Sequence, residues 1–161
     1  MIVLAMASVF VGCSTENGAS IESRENQLDA SISKTADAHW TIEKELVLDD
    51  HIISGAVNEK GKTTLAVFKP DGKGNYRFST STNRNTDEPI VSGCQINGTW
   101  YDLIWFGGTQ TEYAEVTYLM NGTSETKKYD TSDRNIISIP NQEKEYTLQV
   151  SYFDREGNQY E

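Results

Sequence analysis

Residues 90–120, IVSGCQINGTWYDLIWFGGTQTEYAEVTYLM, constrain the fold more than any other stretch. Asn97-Gly98 lies between two runs of strand-forming residues. Both turn positions tolerate positive φ, the strongest short-range hairpin signal a sequence offers. The next run, Thr99 to Phe106, is the most apolar outside the N-terminus. At a period of two, Thr99, Tyr101, Leu103 and Trp105 point one way, and Trp100, Asp102, Ile104 and Phe106 the other. Both faces are largely apolar, so the run predicts a central strand covered on both sides. Gly107-Gly108 permits a second reversal, and Tyr113 to Met120 returns. The pattern specifies architecture and writes out no reaction.

Further strands are expected on either side. Ile52 to Val57, Thr63 to Lys69 and Tyr76 to Thr80 precede the central hairpin, with Pro70-Asp71-Gly72-Lys73-Gly74-Asn75 as turn chemistry. After it come Thr123 to Tyr129, entered through a second Asn-Gly turn, then Ile136 to Ile139, and Glu145 to Phe153, which alternates cleanly. Short strands at this spacing predict a mainly β fold: an antiparallel β-sandwich, immunoglobulin-like or a partly open barrel. The part from Tyr113 onward reads as immunoglobulin-like without the Cys–Trp–Cys hallmark. One N-terminal α-helix is expected at 35–47. Thr35 would be its N-cap and Asp37 its first-turn acid. Ala36, Trp40, Ile42, Leu46 and Val47 would form a loose apolar stripe, with Trp40 as core anchor.

The chain's 161 residues suit one domain. Its 24 acidic against 14 basic residues give a net charge of −10. That disfavours nucleic acid, which needs a basic patch, and direct adhesion to an anionic membrane. It suits a soluble monomer outside the cytoplasm. Neither Cys13 nor Cys94 belongs to a CxxC or Cys/His cluster, so no structural zinc is expected. Asp49-Asp50-His51 looks chemical, but neighbours on a strand diverge, and Asp is ordinary turn chemistry at a junction. Asp71, Asp130 and Asp133 lack the ligand spacing of an EF-hand. Both Asn-Gly-Thr sequons read as hairpin turns. No glycine-rich phosphate loop opens a helix. The expectation is a non-enzyme with no catalytic residue, no metal and no cofactor.

The first twelve residues, MIVLAMASVFVG, are uncharged, almost wholly apolar and too short to span a bilayer. They run into Gly12-Cys13, followed by small and polar residues. This resembles the end of a bacterial lipoprotein signal peptide. In that pattern Gly12 precedes the cleavage point, and Cys13 is diacylated and becomes the mature N-terminus. Phe10 stands where Leu is usual, and no Lys or Arg precedes the run, as if the true start lay upstream. The resemblance divides the chain into a signal peptide (1–12), a lipid-anchored tether (13–34) and one β-rich domain (35–161). Ser14 to Lys34 reads as flexible because it is polar, with only Ile21, Leu28 and Ile32 to bury; weak helix from Leu28 onward is the alternative. A lipidated Cys13 leaves Cys94 as a small buried hydrophobe; an unlipidated one could bridge to it in an oxidising compartment.

A wider resemblance covers about Trp40 to Tyr160. The order of a helix ending near Leu46, a strand, GKTTLAVFK, GKGNYRF, YDLIWFGG and a Tyr-Phe-Asp-x-x-Gly ending is similar to small exported proteins and lipoproteins of Bacillus-type Gram-positive bacteria. It implies location and shape and carries over no catalytic residue. Trp100, Tyr101, Trp105 and Tyr113, with Phe106, are the candidate binding residues. They would form either sandwich core or a stacking platform. The expected function is a membrane-anchored, extracytoplasmic interaction domain at the cell envelope, bound to the membrane through the lipid on Cys13. Its partner would be an envelope protein or, alternatively, cell-wall glycan held by the aromatics.

Overall fold

The computed structural model describes residues 18–32, 38–85, 89–107, 111–131, 133–141 and 145–160. Among the described residues one helix, α1 (Ile21–Ile32), precedes the strands. These are β1 (Trp40–Leu48), β2 (His51–Asn58), β3 (Lys62–Pro70), β4 (Tyr76–Asn85), β5 (Ile90–Ile96), β6 (Thr99–Trp105), β7 (Tyr113–Met120), β8 (Thr123–Asp130), β9 (Ile137–Asn141), β10 (Thr147–Phe153) and β11 (Gln159–Tyr160). All pairings are antiparallel.

Three sheets result: β1-β2-β3-β4, β5-β6-β9 and β11-β10-β7-β8. None closes into a barrel. β5 to β11 place three strands against four, and the chain changes sheet after β6, β8 and β9. That is the connectivity of an immunoglobulin-like sandwich, and it begins at Ile90 rather than Tyr113. The first sheet is a four-stranded meander added to its outside.

β6 is the shared layer. Leu103 and Trp105 pack with Ile53, Leu65 and Val67 of the first sheet. Ile104 and Phe106 pack with Ala114 and Val116 of the third. The hairpin turn before β6 forms as expected: Asn97 and Gly98 take φ of 48° and 88°, and Asn121 and Gly122 take 50° and 80°. Two positive φ values in a two-residue loop match the right-handed twist of the flanking strands.

The helix does not lie at 35–47. The described part of that range, from Trp40, is strand β1, and residues 35–37 lie outside the described residues. The cause is a bulge between Ile42 and Lys44. Before it, Trp40 and Ile42 face α1; after it, Leu46 and Leu48 face the sandwich. The extra residue shifts the phase of the alternation and leaves apolar positions that imitate a helical stripe.

α1 occupies the stretch read as a tether. Leu28 is its buried anchor, against Trp40, Ala56 and Phe68, with Ile32 half-buried beside it. Polar side chains do the rest. Ile42 N–H donates to Glu25 Oε1 (2.7 Å) and Trp40 N–H to Asp29 Oδ1 (2.8 Å). Phe78 N–H donates to Gln27 Oε1 (2.8 Å), whose Nε2 donates to Tyr76 O (3.1 Å). β1 and β4 are the two edges of the first sheet, so α1 satisfies backbone groups at both. Buried Arg24 grips Glu45 through Nε (2.8 Å) and Nη2 (2.7 Å), and its Nη1 holds Gly18 O (2.6 Å). Polarity here marks edge-capping rather than disorder.

Candidate functional site

The aromatic residues singled out in the sequence do not share a surface. Trp105 is fully buried. Its indole fills a slot where a Cβ on Gly55 or Gly107 would come within 2.3 Å or 2.1 Å of the ring. Its Nε1–H donates to Arg134 O at 3.1 Å. Tyr101 lies at the margin of that same cluster. Tyr113 sits at the far end of β7, stacked on Phe153 at 4.6 Å and 7°, with Lys128 Nζ 3.3 Å from its ring centroid. Only Trp100 is exposed, at 43%. Cys13 lies outside the described residues.

What β6 does bring together is a set of groups around Asp102, on the same face as Trp100 and Ile104. Asp102 is buried. Its Oδ1 accepts from Tyr146 OH (2.7 Å) and Trp100 Nε1 (3.3 Å). Its Oδ2 accepts from Tyr118 OH (2.8 Å) and Asn141 Nδ2 (3.5 Å). Burial, reinforced by the neighbouring Asp102 carboxylate, pushes the phenols of Tyr118 and Tyr146 above the usual tyrosine range. Both therefore stay protonated and keep donating. Tyr146 stands at the β9–β10 corner, where immunoglobulin-like sandwiches place a tyrosine that bonds to nearby backbone. Here the hydroxyl reaches across to the carboxylate on β6 instead. Sequence reasoning passed over Asp102, Tyr118, Asn141 and Tyr146. The available signal was an acid in the middle of the most apolar strand, since a carboxylate is buried only where donors meet it.

Tyr118 and Asn141 also line a cleft of about 300 Å³. Its floor is Val116 and Tyr118 from β7; its walls are Glu125, Lys127 and Tyr129 from β8 and Ile139 and Pro140 from β9. The second sheet has three strands and the third has four, and the cleft lies where a fourth strand would flank β9. β8 and β9 are both edge strands. Pro140 brings no N–H to the β9 edge, so that edge resists a full backbone ladder. The Asp102 network thus positions two cleft residues while its own donors are spent on the carboxylate.

The other chemical-looking groups are hairpin fittings. Asp50 Oδ1 pairs with His51 Nδ1 (2.7 Å) and accepts from Asn97 Nδ2 (3.2 Å), tying two turns together. Asp71 and Asp154 close loops of one design, Asp-x-x-Gly-Asn. Each carboxylate accepts the N–H two and four residues on; the Lys73 N–H at Asp71, and the Asn158 side chain ahead of the backbone bonds at Asp154, hold both pKa values below the ordinary range. Among the described residues no three His, Cys, Asp or Glu converge as a metal site. Cys94 is half-buried opposite Tyr101, and burial pushes its thiol pKa up. Comparison of the chain with protein-family models, curated proteins and solved structures returns no match, so the functional reading rests on geometry and chemistry.

Proposed function

We propose that this protein is a non-enzymatic binding domain, held at the extracytoplasmic face of the cell membrane by a lipid on Cys13, that receives an envelope protein in the cleft between β8 and β9. The cleft carries the reading. It combines an apolar floor, a few fixed polar groups and the free edge of β8, the composition that recognises a protein segment. The anchor rests on the apolar run ending at Gly12-Cys13.

Site-specific photo-cross-linking in intact cells tests the cleft. A cross-linker replacing Lys127 should yield a discrete protein adduct, and one replacing Glu156 should not. Identical adducts from both positions, or none from Lys127, would overturn the reading. Cell-wall glycan remains a second reading only through exposed Trp100, because Tyr101, Trp105 and Tyr113 are occupied elsewhere. A carbohydrate adduct from Lys127, abolished by Trp100→Ala, would favour it. Cys13→Ser tests the anchor separately: the protein should lose metabolic lipid label and leave the membrane fraction.

A further inference from the structure

Net charge alone suits a monomer, but the order of charges along β8 suits a pair. An exposed edge strand is a template for another strand, and proteins blunt it with Pro, a bulge, a covering element or Lys. α1 caps β1 and β4, and Pro140 interrupts β9. β8 is an edge of eight residues, TSETKKYD, with no Pro or Gly, and its register with β7 runs without a shift. Thr123 to Lys128 are all exposed. Only the two lysines resemble a guard. Lys128 leans over the Tyr113 ring of its own sheet. Among the described residues, neither Lys127 nor Glu125 has an ion-pair partner.

Met120 and Thr123 close the two-residue Asn121-Gly122 loop and so exchange both backbone hydrogen bonds. Along an antiparallel ladder such pairs alternate. Glu125, Lys127 and Tyr129 therefore bond to β7, opposite Tyr118, Val116 and Ala114. Ser124, Thr126 and Lys128 turn their N–H and C=O groups to the free edge. An antiparallel copy of β8 must bring the same residues against them, so its register slides only in steps of two.

With Thr126 on a two-fold axis, Ser124 faces Lys128 of the other copy, and Glu125 faces Lys127. Both Glu–Lys pairs form at once, on the cleft side, in the non-hydrogen-bonded positions where side chains stand closest. A slip of two residues one way sets Glu125 against its own copy; the other way does the same to Lys127. Like charges directly opposite are destabilising, so one register is selected. The contact is the same patch on both copies, as a two-fold interface requires.

We propose that the protein received at the β8 edge of the cleft is a second copy of this chain, the two β8 strands pairing antiparallel about Thr126 to join the third sheets into one. The inference rests on the reading of the cleft as a protein-binding site and does not depend on the lipid. The axis stands perpendicular to the joined sheet, so the two clefts open side by side on one face.

Disulfide trapping of the full chain in intact cells tests the pairing. Thr126→Cys would bring two Cα atoms to about 5.5 Å, within reach of a disulfide. Ser124→Cys would leave them about 14 Å apart, out of reach. Under a mild oxidant the first should give a band of twice the chain's mass. The second should not, and neither should the parent, whose cysteines are Cys13 and Cys94. E125K or K127E, each added to T126C, should weaken the band about tenfold or more. Co-expression of these two variants should restore it, because each then meets its opposite charge; a folding defect would not be rescued by mixing. No T126C band, an equal S124C band, or no rescue on co-expression would overturn the proposal. A Lys127 photo-adduct to a different protein, without a T126C band, would overturn it and leave the cleft reading in place. Absence of any Lys127 adduct removes that reading itself.

Discussion

At the scale of single residues, Asp102 is a buried acid that gathers a set of side-chain donors. Four donors from three strands and a corner converge on it. Asp102→Ala would take the acceptor from the Tyr118 and Tyr146 hydroxyls and leave a hole beside them. The expected loss is on the order of 3 kcal/mol, because unsatisfied buried donors cost more than their bonds contribute. Asp102→Asn keeps the shape and one acceptor oxygen but turns an amide donor toward two of the four donors, of which only a tyrosine hydroxyl can rotate to accept; it should cost less than the alanine variant and still be destabilising. Chemical denaturation checks both, and a loss below about 0.5 kcal/mol for the alanine variant would show the network to be incidental. Leu103, one residue on, was legible as core from its place in the apolar run, and it is buried. Asp102 was read only as part of a face, because a period-two pattern says where a side chain points and not what it meets there. Partners such as Tyr146 lie 44 positions away.

At the scale of elements, the turns and most strands were legible because their signals are local. Asn-Gly at 97–98 and 121–122 dictates its own backbone, and β6 and β7 carry their pattern within one strand. The errors cluster where two elements must be known together. β1 alternates correctly on either side of one bulge, yet the phase change hides it. α1 has one fully buried apolar side chain, and what docks it are bonds to edges that exist only once the sheet has formed. A chain beginning at residue 35 should therefore melt lower and aggregate through bare sheet edges, where the sequence alone suggests no loss. The helix also carries a pH-dependent contact. His39 Nδ1 lies 2.6 Å from Asp29 Oδ2, and the bond to that carboxylate raises the His39 pKa above 6.5. A raised pKa contributes stability in full below the unfolded value and loses it as pH climbs through the folded one. The melting difference between parent and His39→Ala should thus be larger near about pH 5.5 than near about pH 9. A difference that grows with pH would contradict the assignment.

At the scale of the molecule, the protein is a stack: helix, meander, and the two sheets of an immunoglobulin-like sandwich, bonded by three separate apolar clusters. Sequence reading reached the sandwich and its central strand. It missed the added layer, because β1 was hidden and the meander's strands read as ordinary members of one sandwich. The candidate cleft was not legible at all, since it arises from a difference in strand number between two sheets. The stack has a practical corollary in its tryptophans. Trp40 lies at the seam between helix and meander, Trp105 at the seam between meander and sandwich, and Trp100 at the solvent rim beside Asn141. The native protein thus emits light from three depths. Loosening of the helix, separation of the meander and occupation of the cleft would each shift a different component of that emission, with no label attached.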